Sequence, residues 1–434
     1  MDIESQEFAT EPVPDGSTVP WFRVALVATM VAFSLPTFLT GVELSVVSSP
    51  SRTLGMLTIG SLILTGIGCL TAAIGSNTRL SSYMLNRIAF GRRGAALVNL
   101  AFALSLLGWF GVNIDLFSGA VQRLAMDTLE VAVPDWPIEI FAGLVMTVTT
   151  ILGFRAINFL SALLVPVLVA VTAQLIAGSL KVRSIAELAE VTAPSELPLG
   201  DGVSAVVGAV IVGAVILPDI TRFIRHWSGA IYVVLLAYLA IQLIVTGAGA
   251  LAAAALKDDD LLNIMLVLGI GWSAFAIVIF GSWVLNSLNL YSTMLSVEST
   301  APKLNNTLLI AVLGSLGTLA AFFDILDHFL SFLFYLAIVF VPVAGVIAVD
   351  YLLLRRVAYH ERRLELQADW RFDAVLCWAL GASISLLGTE GWLSITHIAA
   401  IDAMLVAGIS YYLIARIRRW TGGSSIASGQ DVSQ

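Results

Sequence analysis

Ser34-Leu35-Pro36-Thr37-Phe38-Leu39-Thr40-Gly41 lies in the middle of an apolar run spanning residues 22–47. A run of that length can cross the roughly 30 Å hydrocarbon core of a bilayer as a helix. Proline removes a backbone donor there, and Gly41 adds conformational freedom. A helix interrupted at membrane depth frees backbone polar groups that only protein or a water-filled cavity can satisfy. The sixth apolar run contains Gly208-Ala209-Val210-Ile211-Val212-Gly213-Ala214, where two glycines mark a second weak point. Runs one and six are corresponding members of two five-helix halves. Interrupted helices in corresponding positions predict a secondary transporter with its site at the midplane.

The rest of the chain has the composition of a membrane protein. Of 434 residues, 58% are hydrophobic and 12% charged, with mean hydropathy +0.94; soluble domains carry roughly 25% charged residues. Twelve runs are long enough to span, at 22–47, 55–76, 95–122, 137–154, 157–180, 200–218, 228–256, 266–296, 307–323, 329–353, 373–389 and 395–416. Five fall in a first repeat over residues 21–190, five in an inverted second repeat over 198–356, and two more over 372–418. Residues 1–20 are polar and acidic, lack the basic start of a signal peptide and read as a disordered tail; 422–434 form a second polar tail. Cys69 and Cys377 both fall inside runs and imply buried thiols rather than a disulfide framework.

Basic residues sort by side. With the N-terminus inside, 17 of the 22 Lys and Arg lie on the inner side and 5 (Arg52, Arg123, Lys181, Arg183, Lys257) outside. This bias predicts an inner (plasma) membrane protein with both termini cytoplasmic. It also accounts for the basic clusters without a nucleic-acid partner; the bilayer is the partner that the composition requires. Asp258-Asp259-Asp260 reads as a solvated outer loop.

Polar residues inside apolar runs mark the candidate site. In Leu107-Gly108-Trp109-Phe110-Gly111-Val112-Asn113, Trp109 and Asn113 are one helical turn apart on one face. An indole stacks on a flat ring and a carboxamide hydrogen-bonds its edge, so the pair suits a planar polar molecule. The plainer alternative is a packing tryptophan beside an interhelical amide bridge. In the eighth run, Asn286 and Asn289 lie three apart near one face and must point into the bundle. Glu43 and Asp115 are acids within runs, where proton relay is the usual role.

These residues resemble the nucleobase:cation symporter-1 family, and within it the bacterial cytosine permeases. Matching blocks run along nearly the whole chain: Arg87-Ile88-Ala89-Phe90-Gly91, Gly108-Trp109-Phe110-Gly111-Val112, Leu144-Val145-Met146-Thr147-Val148-Thr149, Pro218-Asp219-Ile220-Thr221-Arg222-Phe223, and Pro342-Val343-Ala344-Gly345-Val346-Ile347 with Asp350-Tyr351-Leu352 and Arg355-Arg356. The resemblance implies an all-α, leucine-transporter-like fold of two inverted five-helix repeats plus two helices. It implies alternating-access uptake of a nucleobase or related heterocycle, with Trp109 as stacking indole, Asn113 one turn later, Asn286 as the eighth-helix contact and Ser34 in the first-helix break.

The chain departs from that pattern in two places. Cytosine permeases carry a Gln where this chain has Leu106, and an aromatic and a Ser where it has Val210 and Val212, which implies a roomier, more apolar pocket. In sodium-coupled members, three carbonyls at positions matching Thr29, Ala32 and Gly281 bind Na⁺ with two hydroxyls. Those hydroxyl positions match Val284 and Leu285 here. A hard cation must recover the oxygens it leaves in water, so the departure predicts coupling to protons, through Glu43 or Asp115, or no coupling. Asp219 and Arg222, three apart, read as an inner gate. Other solutes remain open alternatives: a vitamin precursor, a ureide or an organic amine. An integral-membrane enzyme would need clustered ligands at depth. His226, His328, His360 and His397 lie in separate segments without metal-ligand spacing, and no cofactor is implied.

Overall fold

The computed structural model describes residues 11–191, 196–300, 304–323, 325–360, 368–390 and 392–422. Lys303, Arg362 and Arg363 of the charge count, and most of both polar tails, lie outside them. Regular structure among the described residues is helical, apart from one isolated parallel bridge between Val19 and Ile224.

The principal helices are α1 (Trp21–Ala32), α2 (Leu35–Val46), α3 (Pro50–Thr78), α4 (Ser82–Leu129), α5 (Asp135–Ile151), α6 (Phe154–Val182), α7 (Leu199–Ile216), α8 (Trp227–Leu256), α9 (Gly271–Thr300), α10 (Asn306–Ala321), α11 (Phe329–Leu354), α12 (Phe372–Thr389) and α13 (Ala399–Gly422). Among the described residues, seven helices are long and apolar enough to cross a membrane, and α1 with α2 makes an eighth span bent by 44°. The bend follows from the sequence. The Phe33 N–H closes α1 on the Thr29 carbonyl, Ser34 is extended, and Pro36 sits in the first turn of α2. A missing N–H is harmless there, because the first amides of a helix have no intrahelical partner.

The glycines expected to weaken the first and sixth runs do something else. α7 runs unbroken through Gly208 and Gly213, and helical backbone continues past Ile216, through Leu217, to Thr221. A Cβ on Gly208 would lie 1.9 Å from the Leu333 carbonyl oxygen of α11, and one on Gly41 would lie 1.9 Å from the Thr246 carbonyl oxygen of α8. Both positions need glycine because another backbone passes against them, the small-residue packing common in membrane bundles. Periodicity and composition cannot separate such a contact from a hinge.

Two polar knots close one end of the bundle. Asp350, fully buried, accepts from Arg355 Nε at 2.9 Å, Tyr359 at 2.6 Å, Tyr411 at 2.7 Å and Arg371 at 3.3 Å. It ties the end of α11 to α12 and α13. The second knot gathers around Arg79, at the end of α3. Its guanidinium donates to the carbonyls of Arg222 at 3.1 Å, Arg225 at 3.1 Å and Ile224. Its own carbonyl accepts from the Val13 N–H at 3.1 Å, and the Val19 N–H donates to Phe223 at 2.7 Å. Val13 is fully buried. The expected disordered tail is therefore corrected for residues 13–19, which lie strapped across the ends of α3 and α7. One apolar anchor, Val13, and main-chain hydrogen bonds are enough, and neither shows in a polar, acidic composition.

Asp258 and Asp260 also have structural work. Asp260 caps a short helix at Leu261–Val267 and pairs with Arg123. Asp258 accepts from the Asp260 N–H and the Asn263 side chain, bonds that hold its carboxyl below the usual range.

Candidate functional site

The bend between α1 and α2 opens on a cavity of about 80 Å³. Ser34, Pro36 and Thr37 line it from the bend, Trp109 from α4, Val210, Val212 and Gly213 from α7, and Leu285, Leu288 and Asn289 from α9. The bend is internally braced: the Ser34 and Thr37 hydroxyls lie 2.9 Å apart, and Thr37 Oγ1 reaches the Val31 carbonyl at 3.4 Å.

Trp109 is 6% exposed and meets the ring edges of Phe332 at 5.2 Å and Phe329 at 6.1 Å, both near perpendicular. These edge-to-face contacts come from the start of α11 and fix the plane of the indole. A flat ring entering the cavity thus meets a held surface rather than a free rotor.

The two asparagines expected beside it are placed differently. Asn113 is fully buried outside the cavity wall, and its Nδ2 donates back to the Trp109 carbonyl at 2.7 Å. Asn286 is also fully buried off the wall; its Nδ2 donates to the Phe110 carbonyl at 2.8 Å. Each leaves its Oδ1 without a hydrogen-bond partner among the described residues. Asn289, three residues on from Asn286, is on the wall.

At the degenerate cation positions, Thr29 Oγ1 donates to the Leu26 carbonyl at 3.0 Å. Ala32 and Gly281 are buried. Val284 packs in an apolar cluster with Met30 and Phe33, and Leu285 presents hydrocarbon to the cavity. Ser282, next to Gly281, is buried with its hydroxyl unpartnered among the described residues.

Neither coupling candidate touches the cavity. Glu43 is half-buried on α2 and Asp115 half-buried on α4. The acid that reaches the cavity is Asp219, which sequence reasoning assigned only to a gate. Its Oδ1 accepts from the Ser82 N–H and hydroxyl, each at 2.8 Å, and its Oδ2 has no hydrogen-bond partner among the described residues. Arg222, 1% exposed, donates from Nε to the Asp219 main-chain oxygen at 3.1 Å and lies over the Phe223 ring.

Sequence reasoning also missed Tyr238 of α8, whose side chain lines the cavity. No spacing rule singles out one tyrosine in an apolar helix.

Known proteins resemble the chain in sequence and in fold. The model of a family described as permeases for cytosine/purines, uracil, thiamine and allantoin matches residues 18–413. The cytosine permease of Escherichia coli (strain K12) is 25% identical over 413 residues, 95% of this chain and 94% of that protein. Mhp1, a nucleobase-cation-symport-1 family transporter solved in a closed conformation with bromovinylhydantoin bound, has a similar fold: TM-score 0.81 at 19% identity, over 94% of this chain and 95% of that one. A Na⁺-coupled sialic acid symporter in a substrate-bound outward-open state gives TM-score 0.66 at 13% identity, over 92% of this chain and 90% of that one. A match over nearly the full length is decisive: the chain belongs to the family of permeases for cytosine/purines, uracil, thiamine and allantoin, and it is a transporter, not an enzyme.

Proposed function

We propose that the chain imports a nucleobase or related single-ring N-heterocycle by alternating access, coupled to protons rather than sodium. The observation that carries the substrate class is the cavity at the α1–α2 bend, walled on one side by the clamped face of Trp109. A volume of about 80 Å³ is below the ~150 Å³ of an engineered cavity that takes up benzene, so even one ring must push the walls apart. That favours a monocycle over a purine. The name of the Escherichia coli relative and the hydantoin in Mhp1 support the same class.

The absence of sodium coupling is supported by Val284 and Leu285, whose side chains bring hydrocarbon where two oxygen ligands are needed. One observation favours the other reading: the unpartnered Ser282 hydroxyl beside Gly281 is an oxygen that a shifted cation site would use. We further propose twelve spans in two inverted repeats plus two helices, placed in the inner membrane with both termini cytoplasmic. The charge asymmetry supports this orientation.

The experiment is a thermal-shift screen of purified protein against cytosine, uracil, adenine, thiamine and allantoin, followed by uptake of the strongest binder into proteoliposomes. A ligand that binds only the folded state raises its apparent stability. Stabilisation by a pyrimidine and its accumulation under an inward proton gradient are the expected results. A protein that none of the five stabilises contradicts the proposal.

A further inference from the structure

Tyr238 sits in a π-helical stretch, Leu235–Ile241, in the middle of α8. Such wide turns are uncommon and recur at functional sites. The residue is 2% exposed, and what is left open faces the cavity. Its hydroxyl has no hydrogen-bond partner among the described residues. A Cβ built on Gly213 would lie 3.2 Å from that hydroxyl oxygen and 3.8 Å from a Val210 methyl, so the hydroxyl hangs over the barest part of the α7 wall. One turn along α8, Gln242 is fully buried with both amide atoms unpartnered among the described residues. This side of α8 carries more hydrogen-bonding capacity than the protein uses.

A phenylalanine would fill the same space and leave no polar group unsatisfied, and buried hydroxyls normally find partners. We propose that Tyr238 is a substrate-recognition residue, its hydroxyl hydrogen-bonding the polar edge of a heterocycle that lies against Trp109. The phenol both donates and accepts, so it suits a ring carbonyl, a ring nitrogen or an N–H. Trp109 supplies a face that accepts any flat ring; Tyr238 supplies the contact that tells a heteroatom edge from a hydrocarbon one. Discrimination of this kind is strong because a ligand lacking the partner leaves the site's own group unpaired.

The proposal rests on the cavity being the transport site, and the experiment separates the two. Purified wild type, Tyr238→Phe and Trp109→Ala are titrated with whichever of cytosine, uracil, adenine, thiamine and allantoin shifts the wild-type melting temperature most. Tyr238→Phe should melt no lower than wild type without ligand yet bind the probe about tenfold more weakly, and Trp109→Ala should weaken it too. If Trp109→Ala weakens binding and Tyr238→Phe does not, the assignment of Tyr238 falls and the cavity stands. If neither does, or if no probe shifts the wild type, both fall. Should Tyr238→Phe fail to fold, Gly213→Ala takes its place, adding a methyl 3.2 Å from the hydroxyl oxygen; unchanged affinity there overturns the proposal.

Discussion

The carboxamide of Asn113 hydrogen-bonds the main-chain oxygen of Trp109, 2.7 Å away, one turn back along the same helix. The two residues that look in sequence like a joint binding surface are therefore already joined to each other. Trp109 faces the cavity; Asn113 stands behind it and braces the turn that carries the indole.

Their substitutions should differ accordingly. Base–aromatic stacking is worth about 1–3 kcal/mol, so Trp109→Ala should weaken binding of the transported heterocycle by roughly tenfold to a hundredfold. Trp109→Phe should do less harm. Asn113→Leu removes the brace without touching the cavity wall, so its loss should appear in melting temperature more than in affinity. Isothermal titration on the three variants checks this; wild-type affinity in Trp109→Ala would falsify the stacking role.

Sodium should not drive uptake. Proteoliposomes loaded in choline and diluted into sodium should take up substrate no faster than those diluted into choline. A saturable millimolar dependence on external Na⁺ would point to the buried Ser282 hydroxyl, and Ser282→Ala should then abolish it.

Glu43 and Asp115 are both off the cavity wall, so a proton on either must act by changing how α2 or α4 moves. Glu43→Gln or Asp115→Asn should lose accumulation under an inward proton gradient while keeping substrate exchange across the membrane. Exchange needs only the loaded carrier to reorient. Glu43 is the favoured of the two, because it lies on α2 beyond the bend. Normal accumulation in both variants would remove them from the mechanism and leave Asp219, the acid on the cavity wall, as the next group to test.

The strap over the ends of α3 and α7 should favour closure of the end of the bundle that it crosses. Val13→Asp places a charge in a fully buried position and should release it. A cysteine at Ser292, on the cavity wall, should then label faster from the strapped side than in the unmutated strap. Equal labelling rates would show that the strap is passive packing.

Much of the architecture is legible in the chain. Pro36 in an apolar run announces a break, and the break is there, as a 44° bend between Ala32 and Leu35. Trp109 stands out as a polar-tipped slab amid aliphatics, and its side chain lines the cavity. Other features depend on which backbone lies opposite, which sequence spacing does not encode. Gly208 looks like a hinge and is a contact with the Leu333 carbonyl. Tyr238 looks like any tyrosine in an apolar helix, yet it lies in a π-helical turn and lines the cavity. Val13 looks like part of a solvated tail, because a single anchoring residue has no periodicity to detect.

The knot around Asp350 has a mechanical consequence. A carboxylate held by two arginines and two tyrosines costs about 3–5 kcal/mol to unmake, so the Asp350 end of α11 behaves as a clamped beam. The other end carries Phe329 and Phe332, the rings that set the plane of Trp109, and the helix runs unbroken between the two, Pro342 included. Any swing of α11 about its anchored end therefore carries the aromatic clamp with it. Spin labels near Phe329 should report a broad distribution of distances to α4 that narrows on loading, while labels near Arg355 should report one narrow distance throughout. Loosening the beam with Asp350→Asn should broaden the second distribution as well, and the hold on the ring would then be lost from 18 to 21 residues away, without a single cavity side chain being changed.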